Sequence, residues 1–229
     1  MTGWFKPLLA NAGFGRRVVA CIGAGIGIAL TMLVCGQFPS YGSDLPIIVA
    51  PLGASAVLVF AVPASPLAQP WPVVGGNILS TLIGVAMFQA IPNITVAAGV
   101  AVGLAILVMS LARCLHPPGG AAALTAVIGS AGIHDAGYAF AFAPVGINSI
   151  ALVAIGIFYH RTTALSYPHQ PATPAAIKAA VEPGGIRVED IDAALAETPD
   201  AYDIAREDLA LLLERAEHFA KVRRGKQAP

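Results

Sequence analysis

Charge is what this chain has least of. Only 11% of its 229 residues are charged and 56% are hydrophobic, against about 25% charged in soluble domains. Residues 1–160 hold four basic side chains, Lys6, Arg16, Arg17 and Arg113, and two acids, Asp44 and Asp135. No basic surface is available, which excludes nucleic acid as a partner. No carboxylate falls inside an apolar stretch, which argues against a typical cation or proton relay. No P-loop is present, so a self-contained ATP-driven pump is excluded. Cys21, Cys35 and Cys114 have neither disulfide nor metal spacing and read as small core residues. The five histidines, at 116, 134, 160, 169 and 218, are scattered. No metal site, no cofactor and no enzyme chemistry is expected.

Apolar runs dominate instead, and mean hydropathy is +0.73. They fall at Val18–Gln37, Leu45–Val62, Val73–Ile91, Ile94–Leu111, Pro118–Ile133 and Phe140–Tyr159. A span needs roughly 20 residues. The second and fifth runs are marginal, and each carries a proline break. Arg16-Arg17 ahead of the first run imitates a signal peptide, but the run is long enough to cross and lacks a small-residue cleavage site. Trp71, in a Pro-rich loop, suits a membrane interface. The last 69 residues carry nine basic and eleven acidic side chains and read as a separate soluble part. The domains expected are a membrane domain over 1–161, a Pro-rich linker over 162–176 and a small helical cytoplasmic tail over 177–229. Two tail helices are expected. One starts near Val188 and ends before Thr198-Pro199. The other runs from about Ile204 to Arg223, with Leu209, Leu212, Leu213, Ala216 and Ala220 as its apolar stripe.

The pivotal stretch is Leu115-His116-Pro117-Pro118-Gly119-Gly120-Ala121-Ala122-Ala123-Leu124. Two prolines end the preceding helix. A helix restarting there points a positive dipole end and N–H groups with little side-chain cover outward, which is the form of an anion site. Ala50-Pro51-Leu52-Gly53-Ala54-Ser55 matches it at a shift of 66. Gly23 and Gly27 match Gly99 and Gly103 at 76, and Val74-Gly75-Gly76-Asn77 matches Val145-Gly146-Ile147-Asn148 at 71. Order is kept, so the chain reads as an all-α membrane protein made of two three-segment repeats. Three crossings per unit invert the second unit. With Lys6, Arg16 and Arg17 cytoplasmic, six crossings put Asp44 and Asp135 outside and Arg113 and Arg161 inside. Both termini are then cytoplasmic, in the cell's inner membrane. Broken helices in an inverted repeat are a recurring transporter plan, with the site where the breaks meet.

The candidate substrate-binding residues are Pro51, Gly53, Ala54, Ser55, Asn77, His116, Pro117, Pro118, Gly119, Gly120, Ala121 and Asn148. Arg113 and His116 are candidates for setting the field or the gate. Each has a plainer reading: glycines as packing sites, His116 as a cap, Arg113 as a positive-inside anchor, the asparagines as interhelical glue. Thr125 is expected to bond back to its own helix. Both G-x-x-x-G pairs are expected at close helix contacts. Small-residue faces leave room for a homo-oligomer.

His116-Pro117-Pro118-Gly119-Gly120-Ala121 resembles the signature of the HPP family of integral membrane proteins. Pro51–Phe60, Ser65–Trp71 and Gly75-Gly76-Asn77 resemble that family too, so the likeness covers about residues 15–160. The resemblance implies four spanning helices, with two of the six segments partial, and, from cyanobacterial and chloroplast members, transport of nitrite. The reading is a transporter or channel for a small monovalent anion, nitrite first, bound at half-helix N-termini within the lipid bilayer. The alternative is a non-transporting scaffold or sensor acting through its tail on a cytoplasmic partner.

Overall fold

A computed structural model describes residues 14–37, 44–163, 166–171, 187–197 and 203–225. Lys6, part of the linker and Thr198-Pro199 lie outside the described residues. The chain divides into two compact units, Met1–Pro168 and His169–Pro229.

Among the described residues the first unit is helical, without strands. Its helices are α1 (Phe14–Cys35), α2 (Pro51–Ala61), α3 (Pro70–Ala90), α4 (Ile94–Leu111), α5 (Pro117–Ile128), α6 (Ala131–Ala136) and α7 (Ile147–His160). A 3-10 turn at Pro66–Ala68 precedes α3, and a π-type segment at Ala141–Gly146 leads into α7. Proline sits in the first turn of α2, α3 and α5, where its missing N–H costs nothing and its fixed φ suits the helix. Asn93 caps α4 by accepting from Thr95 and Val96 N–H.

Four stretches are long and apolar enough to cross a membrane: Phe14–Cys35, Pro70–Ala90, Ile94–Leu111 and Ala141–His160. They correspond to the first, third, fourth and sixth runs. The second and fifth form only the 11 residues of α2 and the 12 of α5. At 1.5 Å per residue each reaches about 17 Å, roughly half of the 30 Å hydrocarbon core. Residues 45–50 precede α2 as turns, and Gly129-Ser130 divides α5 from α6.

Helix α1 packs on α2 and α7, and α4 packs on α5 and α3. Helix α2 also meets α7, α5 meets α3, and the pairs α2–α5 and α3–α7 touch. Burial shows which faces these contacts use. Gly23, Gly27, Thr31 and Cys35 are buried on α1, and Ala97, Ala101, Ala105 and Met109 on α4, 74 residues on. Pro51, Leu52, Ser55, Ala56, Val59 and Phe60 on α2 correspond to Pro118, Gly119, Ala122, Ala123, Ala126 and Val127 on α5, at a shift of 67. On α3 and α7, Gly76, Asn77, Ser80, Thr81 and Gly84 correspond to Asn148, Ser149, Leu152, Val153 and Gly156, at 72. The shifts of 76, 66 and 71 taken from matching residue types are therefore each off by one or two positions. Identical glycines do not fix the rotation of a helix; the buried stripe does.

This register explains the glycines. Phe60 packs so closely on α1 that a Cβ on Gly27 would lie 2.5 Å from its ring, and one on Gly23 would lie 2.6 Å from Tyr159. Gly99 and Gly103 have nothing within 4 Å, so the second G-x-x-x-G pair is not a helix contact within the chain. Thr125 Oγ1 donates to Ala121 O at 2.7 Å, as expected.

In the second unit, α8 (Val188–Glu197) and α9 (Arg206–Gly225) carry the tail. Ile191 and Ala210 are its buried centre, with Leu195, Leu209 and Leu213 against them. Leu212 and Ala216, expected on the stripe, are exposed, and Ala210 takes their place. Arg206 pairs with Asp192 and holds that carboxyl below its usual range. His169 Nε2 lies 2.7 Å from Asp208 Oδ2.

Candidate functional site

Between Leu45 and Ala112 the chain has no titratable side chain. Polar groups buried in that setting stand out. Ser55 on α2, Asn77 and Ser80 on α3, His116 at the start of α5 and Ser149 on α7 are all fully buried. Four elements thus bring five polar side chains into the apolar interior.

Their bonds run in a chain. His116 Nδ1 lies 2.9 Å from Leu67 O. A carbonyl can only accept, so Nδ1 carries the proton and donates. Nε2 of the neutral ring then accepts from the Ser55 hydroxyl at 2.8 Å. Ser55 Oγ also lies 3.3 Å from Pro51 O, a second acceptor for the same proton. Asn77 Nδ2 donates to Ser149 Oγ at 3.1 Å and reaches Ser55 Oγ at 3.4 Å. Two atoms are left over: Asn77 Oδ1 and Ser80 Oγ are buried without a hydrogen-bond partner. Each such group costs about 1–3 kcal/mol, so packing alone gives no reason to keep them.

Glycines make the room. A Cβ on Gly76 would meet His116 Cβ at 2.7 Å and Cys114 O at 2.8 Å. One on Gly119 would meet Ser80 Oγ at 2.7 Å and Met109 Sδ at 2.8 Å. In the 72-residue overlay Gly76 stands where α7 has Asn148. Asn148 accepts from Val49 N–H at 3.0 Å and donates to Ile47 O at 2.9 Å. It pins the turn before α2. The turn before α5 holds Cys114 and His116, and the Cys114 carbonyl and His116 Cβ fill the space that a side chain on Gly76 would need. The two halves thus use the same place differently. One holds a structural amide, the other a titratable ring.

Not every expected residue joins the cluster. Gly53, Ala54, Pro117 and Ala121 lie on the outer face of the first unit, and Gly53 has nothing within 4 Å. Gly120 is half-buried, with Val102 3.9 Å from a built Cβ. Pro51, Pro118 and Gly119 face inward. Arg113 is exposed at φ 54°. At the two helix starts Leu52 N donates to Val49 O, Gly53 N to Ala50 O and Gly119 N to His116 O. The prolines have no N–H to add. Ser80 and Ser149 were absent from the expected set. The signal was a hydroxyl one turn after Asn77 and another beside Asn148, both inside apolar runs.

The other buried histidine has a structural setting. His160 Nε2 donates to Val59 O at 3.0 Å, and the ring stacks on Phe60. Among the described residues no three His, Cys, Asp or Glu side chains gather where a metal could be held.

Residues 10–168 match the model of the HPP transmembrane region. Two transmembrane proteins of Dictyostelium discoideum are similar. One is 39% identical over 117 residues, 49% of this chain and 40% of that protein. The other is 42% identical over 104 residues, 44% of this chain and 33% of that protein. The matches thus span less than half of either relative. No solved structure matches. With a family model covering most of the chain and the Pro-Gly signature at the start of α5, this multi-pass membrane protein belongs to the HPP family.

Proposed function

We propose that the chain moves a small monovalent anion across the cell's inner membrane, nitrite being the first candidate, and that Ser55, Asn77, Ser80, His116 and Ser149 line its path. The carrying observation is a fully buried polar cluster with two unpartnered atoms, set where two half-length helices meet. The helix starts contribute their positive dipole ends, and side chains contribute the donors. A half-turn of the Asn77 amide exchanges Oδ1 and Nδ2. Oδ1 then accepts from the Ser149 hydroxyl, and the freed N–H groups join the Ser80 hydroxyl in facing the anion. A site without fixed charge holds an anion loosely enough to release it.

The packing supports two inverted units. Exchanging α1 with α4, α2 with α5 and α3 with α7 maps the set of helix contacts onto itself. Gly84 packs on Ala126 as Gly156 packs on Val59, at the same shifts of 72 and 67. With α2 and α5 each completing a crossing together with the turns beside it, both termini are cytoplasmic, and Arg113 and Arg161 lie on that side.

Purified protein in liposomes tests the proposal. Uptake of nitrite is expected to exceed that of nitrate, formate, bicarbonate and chloride and to exceed the protein-free rate. Equal rates with and without folded protein for every anion would overturn it. Arg113→Gly tests the electrostatic role separately. Glycine suits φ 54°, so the fold is expected to gain about 1 kcal/mol. Loss of the charge is expected to slow uptake by roughly threefold or more at low salt, with the gap closing at high salt.

A further inference from the structure

We propose that the anion is carried together with one proton, and that His116 Nε2 is the atom that holds it. This rests on the anion-transport reading. His116 is the sole titratable group in the cluster, and the hydrogen bonds around it have two complete arrangements. In the neutral ring, Nε2 accepts from Ser55, whose hydroxyl lies 2.8 Å away. When a proton enters on the lone pair of Nε2, that nitrogen becomes a donor to Ser55 Oγ. The Ser55 hydroxyl proton then swings to Pro51 O, 3.3 Å away. Nδ1 keeps its bond to Leu67 O in both states. No covalent bond of Ser55 changes, and the one proton taken from one side is released on the other.

Among the described residues the surroundings hold nothing else that would balance the charge, and the Tyr167 hydroxyl, which donates to Ala68 O beside Leu67, is neutral. Helices α2, α3, α4 and α5 and the turn at Pro66–Ala68 carry no titratable side chain. Cys114, buried beside Gly76, has its thiol pushed up by burial and stays neutral. Arg113 is exposed. His134 and Asp135 on α6 belong to the far end of α5, where His134 Nε2 bonds Val127 O. On α7, Tyr159 bonds Val19 O and His160 bonds Val59 O, outside the cluster. A charged imidazolium alone in this interior would cost several kcal/mol, as would a lone anion. Together, with the anion against Asn77 and Ser80, they form a neutral load. Gly76 lets the His116 side chain start where it does, since a Cβ there would meet His116 Cβ at 2.7 Å.

Nitrite uptake into vesicles with clamped membrane potential and an internal pH dye tests this, with protein-free vesicles subtracted for nitrous acid leak. One proton is expected to enter per nitrite, and an imposed potential is expected to leave the initial rate unchanged. His116→Gln is expected to lose proton entry and the pH dependence of uptake. Ser55→Ala keeps the ring but removes the partner of its charged form. Its remaining uptake is expected to show a pH midpoint moved down, which provides a test should His116→Gln not fold. Uptake driven by an inside-positive potential without proton entry would overturn the proposal and leave anion transport standing. Retained proton entry in His116→Gln would do the same. No protein-dependent uptake would overturn both.

Discussion

Gly84→Val is expected to abolish the folded protein. A Cβ on Gly84 would clash with the backbone oxygen of Ala123 and lie 2.8 Å from Ala126 Cβ. The neighbour is helix backbone, which cannot turn aside as a flexible side chain can. Helices α3 and α5 would have to separate along their contact, releasing His116 and Ser80 from their positions together. Overpacking of a well-filled interior costs about 1–3 kcal/mol; with a backbone atom as the obstacle, about 3 kcal/mol or more is expected. Size-exclusion profiles and thermal melts in detergent read this directly. Gly53→Val on the outer face, with nothing within 4 Å, is expected to behave as wild type. Similar melts for the two variants would contradict the packing described for α3 and α5.

Gly119 and Gly120 are expected to part company. A side chain on Gly119 enters the space between Ser80 Oγ and Met109 Sδ, at 2.7 and 2.8 Å. Met109 can move, so Gly119→Ala is expected to fold with a loss of about 1–2 kcal/mol. Ser80, whose oxygen has no partner, would be covered by the new methyl. Nitrite uptake is expected to fall at least about tenfold, the equivalent of about 1.4 kcal/mol. Gly120→Ala meets only Val102 at 3.9 Å and is expected to retain uptake and to gain slightly in helix stability. Equal uptake in the two would mean that the anion does not pass Ser80.

These neighbouring glycines show what was legible in the sequence. Apolar runs and prolines marked the starts of α2 and α5, because proline acts through its own ring and needs no tertiary partner; α3 starts at Pro70, ahead of the run placed at Val73, so Trp71 belongs to the helix and not to the loop. Half-length helices were foreshadowed by the breaks at Pro51 and Pro117-Pro118. Ser55, Asn77 and His116 were legible as polar side chains in apolar surroundings. The rotation of each helix was not legible. In a chain rich in glycine and alanine, matching letters at a shift of 66 paired Gly53 with Gly119, whereas the buried faces pair Leu52 with Gly119. One position turns a helix by about 100°, enough to move Gly53 and Ala121 from an inner face to an outer one. The same slip paired Asn77 with Asn148 and hid Ser149 as the residue facing Asn77. Backbone N–H groups at the helix starts were expected to face a ligand. Those of Leu52, Gly53 and Gly119 close onto Val49, Ala50 and His116, because a turn led by proline lets them bond locally.

Asn77 and Asn148 offer the most direct test of the buried cluster as the anion's path. Each is a fully buried asparagine, but Asn148 spends its amide on Ile47 and Val49 while Asn77 keeps an unpartnered oxygen. The decisive measurement is nitrite uptake by Asn77→Ala in liposomes, alongside its melting temperature and that of Asn148→Ala. The account predicts that Asn77→Ala melts near wild type and loses uptake at least about tenfold, whereas Asn148→Ala loses about 1–3 kcal/mol of stability by orphaning Val49 N–H. Wild-type uptake in a well-folded Asn77→Ala protein would contradict it.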